Sequence, residues 1–307
     1  MKRKGSQFIL LTAMAAFVVA GGIYSCSKST ASLPKIGPYD NSNQVAASNL
    51  LAHWTFDGTA NETISNTAPS GTHGSSFVTG VKGQALSLAN GYILYPTIAA
   101  LSSANAVGSF TVSAWVNTDN NGATVSSVFA LTQAPSLQSD WNTGPITMYL
   151  ETGHPKATDD TLVFHGAFSS WPNSTTRLGG DNINDYGVRG TDFQTVHGTN
   201  QWVHYVLRYD GAGSNIDIYA NGVRVSNNNF RNRLTGTPPV GIGPVVSTVP
   251  TQVLIGALPN VNSGFPNSAA QVWQGFYTGM IDEVRVYNIA MQDSDIGYLY
   301  QLELAGR

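Results

Sequence analysis

The sequence predicts an all-β fold, an antiparallel β-sandwich with one short helix at the C-terminus. Only 11% of the residues are charged and 32 are glycine, a composition that suits many short strands joined by turns. Several segments alternate apolar and polar residues with the period of two that a half-buried strand requires. Helical spacing is confined to "QDSDIGYLYQLEL" near the end of the chain, where Asp293 or Ser294 is expected to cap the first turn.

The first 25 residues have the pattern of a secretory signal peptide. Basic residues at positions 2–4 precede the 13-residue apolar run "FILLTAMAAFVVA", which is shorter than a membrane span requires. The following "IYSC" resembles the lipobox of bacterial lipoproteins, in which the cysteine is lipidated and becomes the first residue. We therefore predict a signal peptide at 1–25, a lipidated Cys26, and a protein held to the membrane of the cell envelope, the outer membrane, through this lipid alone.

The cysteine count and the net charge argue against an intrachain disulfide and against a nucleic-acid partner. Cys26 is the only cysteine, so no intrachain disulfide can form. The alternative to lipidation is a plain signal peptide followed by a chance cysteine. Without residues 1–25 the chain has 12 basic and 18 acidic residues, a formal net charge of −6, and it has no basic run of the kind that binds nucleic acid. We therefore expect no nucleic-acid partner.

The chain divides into a tether and one domain. Residues 26–48, which begin with the lipidated Cys26, contain few large apolar residues and are predicted to be a flexible tether. Residues 49–307 fit a single large all-β domain, so a second domain is not required.

Alternation assigns side chains to the two faces of each strand. In "LLAHWTFDG", Ala52, Trp54 and Phe56 share one face, and in "SFTVSAWVN" the even-numbered residues 110–116 share one face. The dipeptide at 221–222, Asn-Gly, predicts a two-residue hairpin because both positions tolerate positive φ. Further strands are predicted in "ITMYLET", "TLVFHGAF", "WVHYVLRYDG", "NIDIYANGVRVS", "QVLIGAL" and "GFYTGMIDEVRVYN".

The stretch "GMIDEVRVYN" places a carboxylate in an otherwise apolar row. Strict alternation puts Asp282 on the same face as Val284 and Val286, and puts Glu283 on the opposite face with Ile281. An unpaired carboxylate in such a row is costly. Asp282 should therefore have hydrogen-bond donors, a cation, or a place in an open cleft.

Five segments together resemble a known family. In chain order they are "LLAHWTFDGTANETISN", "GVKGQALSLANGYILYP", "SFTVSAWVN", "QWVHYVLRYDGAGSNIDIYANGVRV" and "GMIDEVRVYNIAMQDSDIGYLY". Between about 50 and 303 the chain resembles the laminin-G-like domains of the concanavalin A-like lectin/glucanase superfamily. The resemblance implies a jelly roll of two curved antiparallel sheets, the concave one often forming a ligand-binding face. Members are commonly carbohydrate-binding or adhesive modules, and relatives include glucanases, so the fold alone does not choose a function.

Asp57 and Asp282 are candidate ligands of a structural calcium ion. Asp57 ends the first strand and Asp282 lies in the last, and similar domains join their terminal strands through calcium. Calcium prefers six to eight oxygen ligands, backbone carbonyls included. The alternative is that Asp282 accepts hydrogen bonds from backbone amides while Asp57 forms a turn before Gly58. Both alternatives stay open at the level of sequence.

Three long connections, at 133–144, 169–201 and 231–251, are expected to carry function. A sugar site needs a flat aromatic surface for the C–H face of the ring, with amides or carboxylates nearby for its hydroxyl groups. Tryptophan and tyrosine lie beside such polar residues in the first two loops. The predicted ligand-binding residues are Trp141, Trp171, Asp181, Asn182, Asp185 and Tyr186. Trp273, preceded by Phe265, forms a second aromatic cluster. The alternative for each tryptophan is a small local core within its loop.

No catalytic residue is predicted. Glycoside hydrolysis needs two carboxylates roughly 5–9.5 Å apart, and the chain has four glutamates without the alternating acidic trio of laminarinase-like relatives. The six histidines are scattered without ligand-like spacing. We predict a module that binds a glycan without catalysis of its own. The alternatives are a protein-binding or adhesion module, and a hydrolase that uses loop carboxylates.

Overall fold

The computed structural model describes residues 33–184, 192 and 194–307. Antiparallel strands dominate it, and its one α-helix lies at the C-terminus, as predicted. The strands are β1 (Leu50–Trp54), β2 (Gly71–Thr79), β3 (Gln84–Leu94), β4 (Phe110–Thr118), β5 (Ser126–Gln133), β6 (Ile146–Leu150), β7 (Thr161–Leu162), β8 (Phe164–Ser170), β9 (Leu178–Ile183), β10 (Val196–His197), β11 (Val203–Asp210), β12 (Asn215–Ala220), β13 (Val223–Arg224), β14 (Leu234–Thr235), β15 (Val240–Gly241), β16 (Thr251–Ile255) and β17 (Tyr277–Tyr287). The α-helix is α1 (Asp293–Leu304), and short 3₁₀ helices span Ser42–Gln44, Ala47–Asn49, Ala99–Leu101, Asn228–Phe230 and Val261–Ser263. Within the described residues, no helix combines the length and apolarity of a membrane span.

Thirteen of the described strands form one curled antiparallel sheet. Its order is β13-β12-β11-β4-β17-β3-β16-β5-β6-β8-β9, with β1 paired to β17 and β2 paired to β3. The two ends of the sheet approach each other, because the side chain of Asn182 in β9 donates to the carbonyl of Ile216 in β12 at 3.0 Å. The curl therefore brings two halves of the sheet face to face, as in a concanavalin A-like sandwich.

The core lies between these two halves, and the predicted faces of the first strands are confirmed. Ala52, Trp54 and Phe56 are all buried in the main core, as are the even-numbered residues 110–116 of β4. Aromatic rings join the two halves directly. The ring centroids of Phe164 and Tyr205 are 4.6 Å apart, and Phe168 packs on a tyrosine of β11 in the same way.

The predicted alternation of the last strand is wrong after Asp282. A β-bulge interrupts the pairing of β17 with β4 between Asp282 and Arg285, and Glu283 has a φ of 47°. In the bulge two residues of β17 lie opposite one residue of β4, so the residues of β17 that follow point to the opposite faces from those predicted. Ile281 and Val284 consequently share the core face, while Asp282 lies opposite Trp115 on the outer face of the sheet.

The hairpin prediction is confirmed and the helix-cap prediction is wrong. Asn221 and Gly222 both have positive φ, 50° and 78°, in the turn from β12 to β13. The N-cap of α1 is Gln292, whose side chain makes no capping hydrogen bond. Asp293 instead accepts hydrogen bonds at 2.7 Å from Arg208 and Tyr219, which fix the start of the helix on the sheet.

The outer face of β4, β11, β12 and β17 is covered by α1 and by residues 34–49; we call it the covered face. The prediction of a flexible tether over 26–48 is therefore wrong for residues 34–48, which belong to the same compact unit as the sandwich. Val45 is buried among apolar residues of α1, and Arg307 donates to the carbonyl of Pro34 at 2.8 Å. Ile36, Tyr39 and Ala46 pack against the same apolar cluster, which also contains residues of α1.

Candidate functional site

The outer face of β5, β6, β8 and β9, which we call the open face, carries a cleft of about 700 Å³. Alternation along β8 explains its position. Phe164 and Phe168 point into the core, so His165, Ala167 and Ser169 point outward and line the cleft. A cavity of this size lies in the range of small-molecule sites.

One end of the cleft is aromatic. The ring centroids of Trp141 and Trp273 are 5.4 Å apart, and their ring planes are inclined at 87°. Tyr149 packs edge-on against Trp141 at 5.6 Å. The two indoles are half-buried, so each keeps part of its surface open to the cleft.

The other end is polar and is built around His165. Its Nδ1 is 2.7 Å from Oε1 of Glu151, and its Nε2 is 2.8 Å from Oδ2 of Asp181. The hydroxyl of Tyr149 is also 2.7 Å from Nδ1. Both ring nitrogens thus contact carboxylates, an arrangement that suits an imidazolium, which can donate from both nitrogens.

The surroundings of His165 decide its charge. Burial disfavours the imidazolium, but hydrogen bonds to Asp181 and Glu151 outweigh burial and raise the pKa of His165 above its usual value. The imidazole is 4% exposed, whereas the side chains of Glu151 and Asp181 are 23% and 33% exposed. A ligand in the cleft would therefore meet the carboxylates rather than the ring that joins them.

Arg177 lies at the rim of the cleft. Its Nη2 donates to both the carbonyl and the side-chain oxygen of Asn142 at 2.7 Å, and its Nε donates to Ser169 at 2.9 Å. Burial lowers the pKa of Arg177. The guanidinium joins the loop after β5 to β8 and shapes this edge of the cleft.

The structure brings together two of the predicted ligand-binding residues. Trp141 and Asp181 line the same cleft. Trp171 does not line it, and its indole N–H donates to the carbonyl of Thr143 at 2.9 Å. Asp185 and Tyr186 lie outside the described residues.

Asn182 is misplaced as a ligand-binding residue. The sequence "LGGDNI" suggests a loop, but these residues form β9, so Asp181 points outward and Asn182 points inward. The side chain of Asn182 is fully buried. Its amide nitrogen donates to the carbonyls of Ile216 and Asn227, and its oxygen accepts from the backbone of Asn227. It holds the two ends of the sheet together.

Apart from Asp181, sequence reasoning missed the polar end of the cleft. Tyr149 in β6 and His165 in β8 are directly paired across the sheet, and Glu151 follows β6 on the same face as Tyr149. A polar residue on one face of an apolar strand was the available signal, in "TMYLE" and "FHGAF". The pairing that brings these residues together depends on strand order, which the sequence does not show.

The two predicted calcium ligands accept backbone N–H groups in, or directly after, the turn at residues 80–83 between β2 and β3. Oδ2 of Asp282 accepts backbone N–H groups of Val81 at 2.8 Å and of Lys82 at 3.1 Å. Oδ1 of Asp57 accepts the N–H of Gln84 at 2.7 Å.

These contacts favour the hydrogen-bonded alternative over a calcium site. Backbone N–H donors face both carboxylates, and burial raises the pKa of Asp282 to about 7. Among residues 33–184, 192 and 194–307, no group of three or more His, Cys, Asp or Glu side chains is arranged to hold a metal ion. The expected Asx turn at Asp57 is replaced by this longer-range contact, and calcium binding stays a prediction.

The fold and the cleft define a lectin-type β-sandwich. The family model of the concanavalin A-like lectin/glucanases superfamily, laminin-G type, matches residues 87–297, more than half of the chain. The chain belongs to this family, which confirms the resemblance seen in the sequence. No curated protein sequence matches it.

Solved structures agree on the fold. Domain 4 of a GH43 extracellular arabinanase from Geobacillus stearothermophilus, in complex with arabinotriose, is 20% identical, with a TM-score of 0.48 over 82% of this chain and 98% of that one. The binding domains of botulinum neurotoxin serotypes D/C and C1 are each 14% identical, with TM-scores of 0.50 over 84% of this chain. The chain spans about half of each neurotoxin binding domain, 53% and 52%. At 14% identity, the two neurotoxin domains show a shared fold alone.

Proposed function

We propose that the chain is a glycan-binding module whose binding site is the cleft on the open face. The observation that carries the proposal is the composition of this cleft, with two indoles at one end and two partly exposed carboxylates at the other. A sugar ring has an apolar C–H face and hydroxyl groups around its edge. The cleft offers a matching partner to each.

The indoles would stack on the apolar face of a sugar ring, and the carboxylates would accept hydrogen bonds from its hydroxyl groups. Hydrogen bonds to a charged acceptor contribute roughly 1.5–3 kcal/mol each, so Glu151 and Asp181 would add orientation as well as affinity. His165 holds both carboxylates in place from below. Its role in this proposal is to position them, since the ring itself is almost inaccessible.

The test is a glycan-array screen of residues 27–307 with two tryptophan variants. Trp141→Ala removes one wall of the cleft and should abolish binding. Trp171→Ala removes an indole of similar burial that lies outside the cleft, and it should bind like the wild type. The proposal fails if the two variants lose binding equally, or if Trp141→Ala still binds.

A glycan-cleaving activity is a second candidate, because one observation favours it. Glu151 and Asp181 flank one imidazole in the same cleft, as the two carboxylates of a glycosidase flank a bond. Both carboxylates, however, contact the same buried imidazole, at 2.7 and 2.8 Å, which suits a role in holding hydroxyl groups better than transfer of a proton to a leaving group. We therefore propose binding without cleavage. Release of oligosaccharides from bound polysaccharide, lost in Glu151→Gln, would establish the enzyme instead.

A protein ligand is the remaining alternative, and the same screen addresses it. If the folded wild-type protein binds no glycan on a broad array, protein adhesion through the same cleft becomes the favoured function.

We also propose that the protein is a lipoprotein of the cell envelope, anchored through Cys26. The support is the signal pattern at 1–25 and the cysteine that follows it. Metabolic labelling with a fatty acid should modify the wild type and leave Cys26→Ser unlabelled.

The glycan-array experiment also tests calcium binding, because it is run both with calcium and with a chelator. The hydrogen-bonded carboxylates at Asp57 and Asp282 predict that glycan binding and melting temperature are the same with calcium and with chelator. A fall in melting temperature on chelation would instead support the structural calcium that the sequence suggested.

A further inference from the structure

Two loops that are distant in sequence meet at the aromatic end of the cleft. The loop at 134–145 connects β5 to β6 and carries Trp141. The loop at 256–276 connects β16 to β17 and carries Trp273. The side chain of Asn267 in the second loop donates to the carbonyl of Ser136 in the first at 2.7 Å.

A chain of three hydrogen bonds runs from one indole residue to the other. The Nε1 of Trp273 donates to Oε1 of Gln271 at 2.7 Å. The amide nitrogen of Gln271 donates to Oδ1 of Asp140 at 3.3 Å, across the boundary between the loops. The same Oδ1 accepts the backbone N–H of Trp141 at 2.7 Å.

Each end of this chain is fixed to the body of its own loop. The backbone carbonyl of Asp140 accepts from the side chain of Gln138 at 2.6 Å, and Gln138 is buried. The backbone N–H of Gln271 donates to Oε1 of Gln274, which also accepts from Asn260 at 2.8 Å. The bridge therefore joins two anchored supports.

We propose that Asp140 and Gln271 are positioning residues that hold Trp141 and Trp273 perpendicular, as a preformed corner for the apolar face of a sugar ring. This inference rests on the proposed function. Trp273 packs against a small apolar cluster on one side, while the neighbouring Val272 is 98% exposed, so the hydrogen bond to Gln271 is a further restraint on the indole. Without this restraint more of the freedom of the indole would have to be lost when the ligand binds, and this ordering costs affinity.

The bridge also limits what the corner can recognise. An indole N–H usually finds a hydrogen-bond partner, and Gln271 supplies one to Trp273 from within the loop. Trp273 therefore offers its ring surface rather than a donor. The aromatic end would select for an apolar ring face, and polar selection would fall to Glu151 and Asp181.

The test compares variants of the bridge in the full chain. Gln271→Ala removes the bridge and should weaken binding of neutral glucose, xylose or arabinose hexasaccharides about 3- to 10-fold, the cost of ordering one large side chain. The near-ultraviolet circular dichroism of the indole pair should change as well. Gln201→Ala, the same substitution at an exposed turn outside the cleft, should change neither.

A double-variant cycle separates positioning from a general structural effect. Gln271→Glu keeps an acceptor for Trp273 but repels Asp140, so it should weaken binding. Adding Asp140→Asn lets the new amide donate to the new carboxylate and should restore affinity. Unchanged affinity in Gln271→Ala, or no rescue in the double variant, would overturn the inference and leave the proposed function intact. Full binding by Trp141→Ala would overturn both.

Discussion

The two outer faces of the sandwich each contain a histidine in contact with a carboxylate, yet the two histidines have opposite pKa shifts. On the covered face, His53 Nε2 is 2.8 Å from Glu283. On the open face, His165 lies between Glu151 and Asp181. The pKa of His53 is lowered, and that of His165 is raised.

The difference lies in the other charges nearby. Burial lowers the pKa of His53, and the hydrogen bond to Glu283 only partly offsets burial because Arg285 and Lys82 also approach. Arg285 donates to Glu283 at 2.6 Å and to Glu303 at 2.7 Å, in complete burial. On the covered face these paired charges are buried. On the open face the side chains of Glu151 and Asp181 are 23% and 33% exposed, so a ligand can reach them.

The largest expected effect comes from breaking the buried network of the covered face. Arg285→Met leaves Glu283 and Glu303 buried without their shared cation, which typically costs 3–5 kcal/mol, so we expect about that loss of unfolding free energy. Chemical denaturation measures it. Arg177→Met, at the exposed rim of the cleft, should cost about 1 kcal/mol or less. Equal losses in the two variants would contradict the distinction between the faces.

Acid should destabilise the covered face through His204. Its imidazole is buried beside Trp115 at 5.1 Å, and burial lowers its pKa to about 3. The unfolded chain binds a proton near pH 6.5 and the folded chain does not, so stability falls as the pH drops below 6.5. Between pH 7 and 4 the wild type should lose up to about 3 kcal/mol more unfolding free energy than His204→Phe, an upper bound because Glu303, 3.6 Å from Nε2, favours the protonated ring. Parallel losses would mean that His204 is not the titrating group.

Asp282→Asn should lower the unfolding free energy by about 1–3 kcal/mol at neutral pH, because an amide cannot accept from all three backbone N–H groups that the carboxylate satisfies. Glycan binding should be unchanged. Asp57→Asn is the matched control, since Asp57 is exposed and should cost less. Loss of binding at an unchanged melting temperature would give Asp282 a role in the site.

The smallest expected effect is the pH dependence of His165. Its raised pKa means that the two ion pairs stabilise the fold fully below about pH 6.5, and that this contribution is lost as the pH rises through the folded pKa. Imidazole titration by NMR should show His165 titrating above the usual value and His53 below it. The unfolding free energy, measured from pH 6 to 9, should decline less in His165→Gln than in the wild type. If His165 and His53 titrate at the same pH, the predicted difference between the histidines of the two faces is wrong.

Sequence patterns predicted single strands and turns better than they predicted which strands are adjacent in the sheet. The core face of Trp54 and the hairpin at Asn221 follow from local alternation and turn chemistry, and both are confirmed. The bulge at Glu283 needs a positive φ that no local residue signals, and it reversed the predicted faces beyond Asp282. The glycines before Asp181 made a strand look like a loop.

The site was only half visible for a physical reason. Trp141 and Asp181 could be predicted because their residue types suit a sugar. His165 meets Glu151 and Asp181 only because β6, β8 and β9 are adjacent in the sheet, and strand order is set by long-range packing. The bridge from Gln271 to Asp140 joins loops more than a hundred residues apart, and neither side chain is unusual in its own segment.

The central claim is that the open face, and not the covered face, receives the ligand. The most direct test follows the six indole N–H signals by NMR while an array-positive glycan is added. We expect the signals of Trp141 and Trp273 to shift, and those of Trp115 on the covered face and Trp54 in the core to stay in place. Shifts that reach Trp115 and spare Trp141 would contradict this claim.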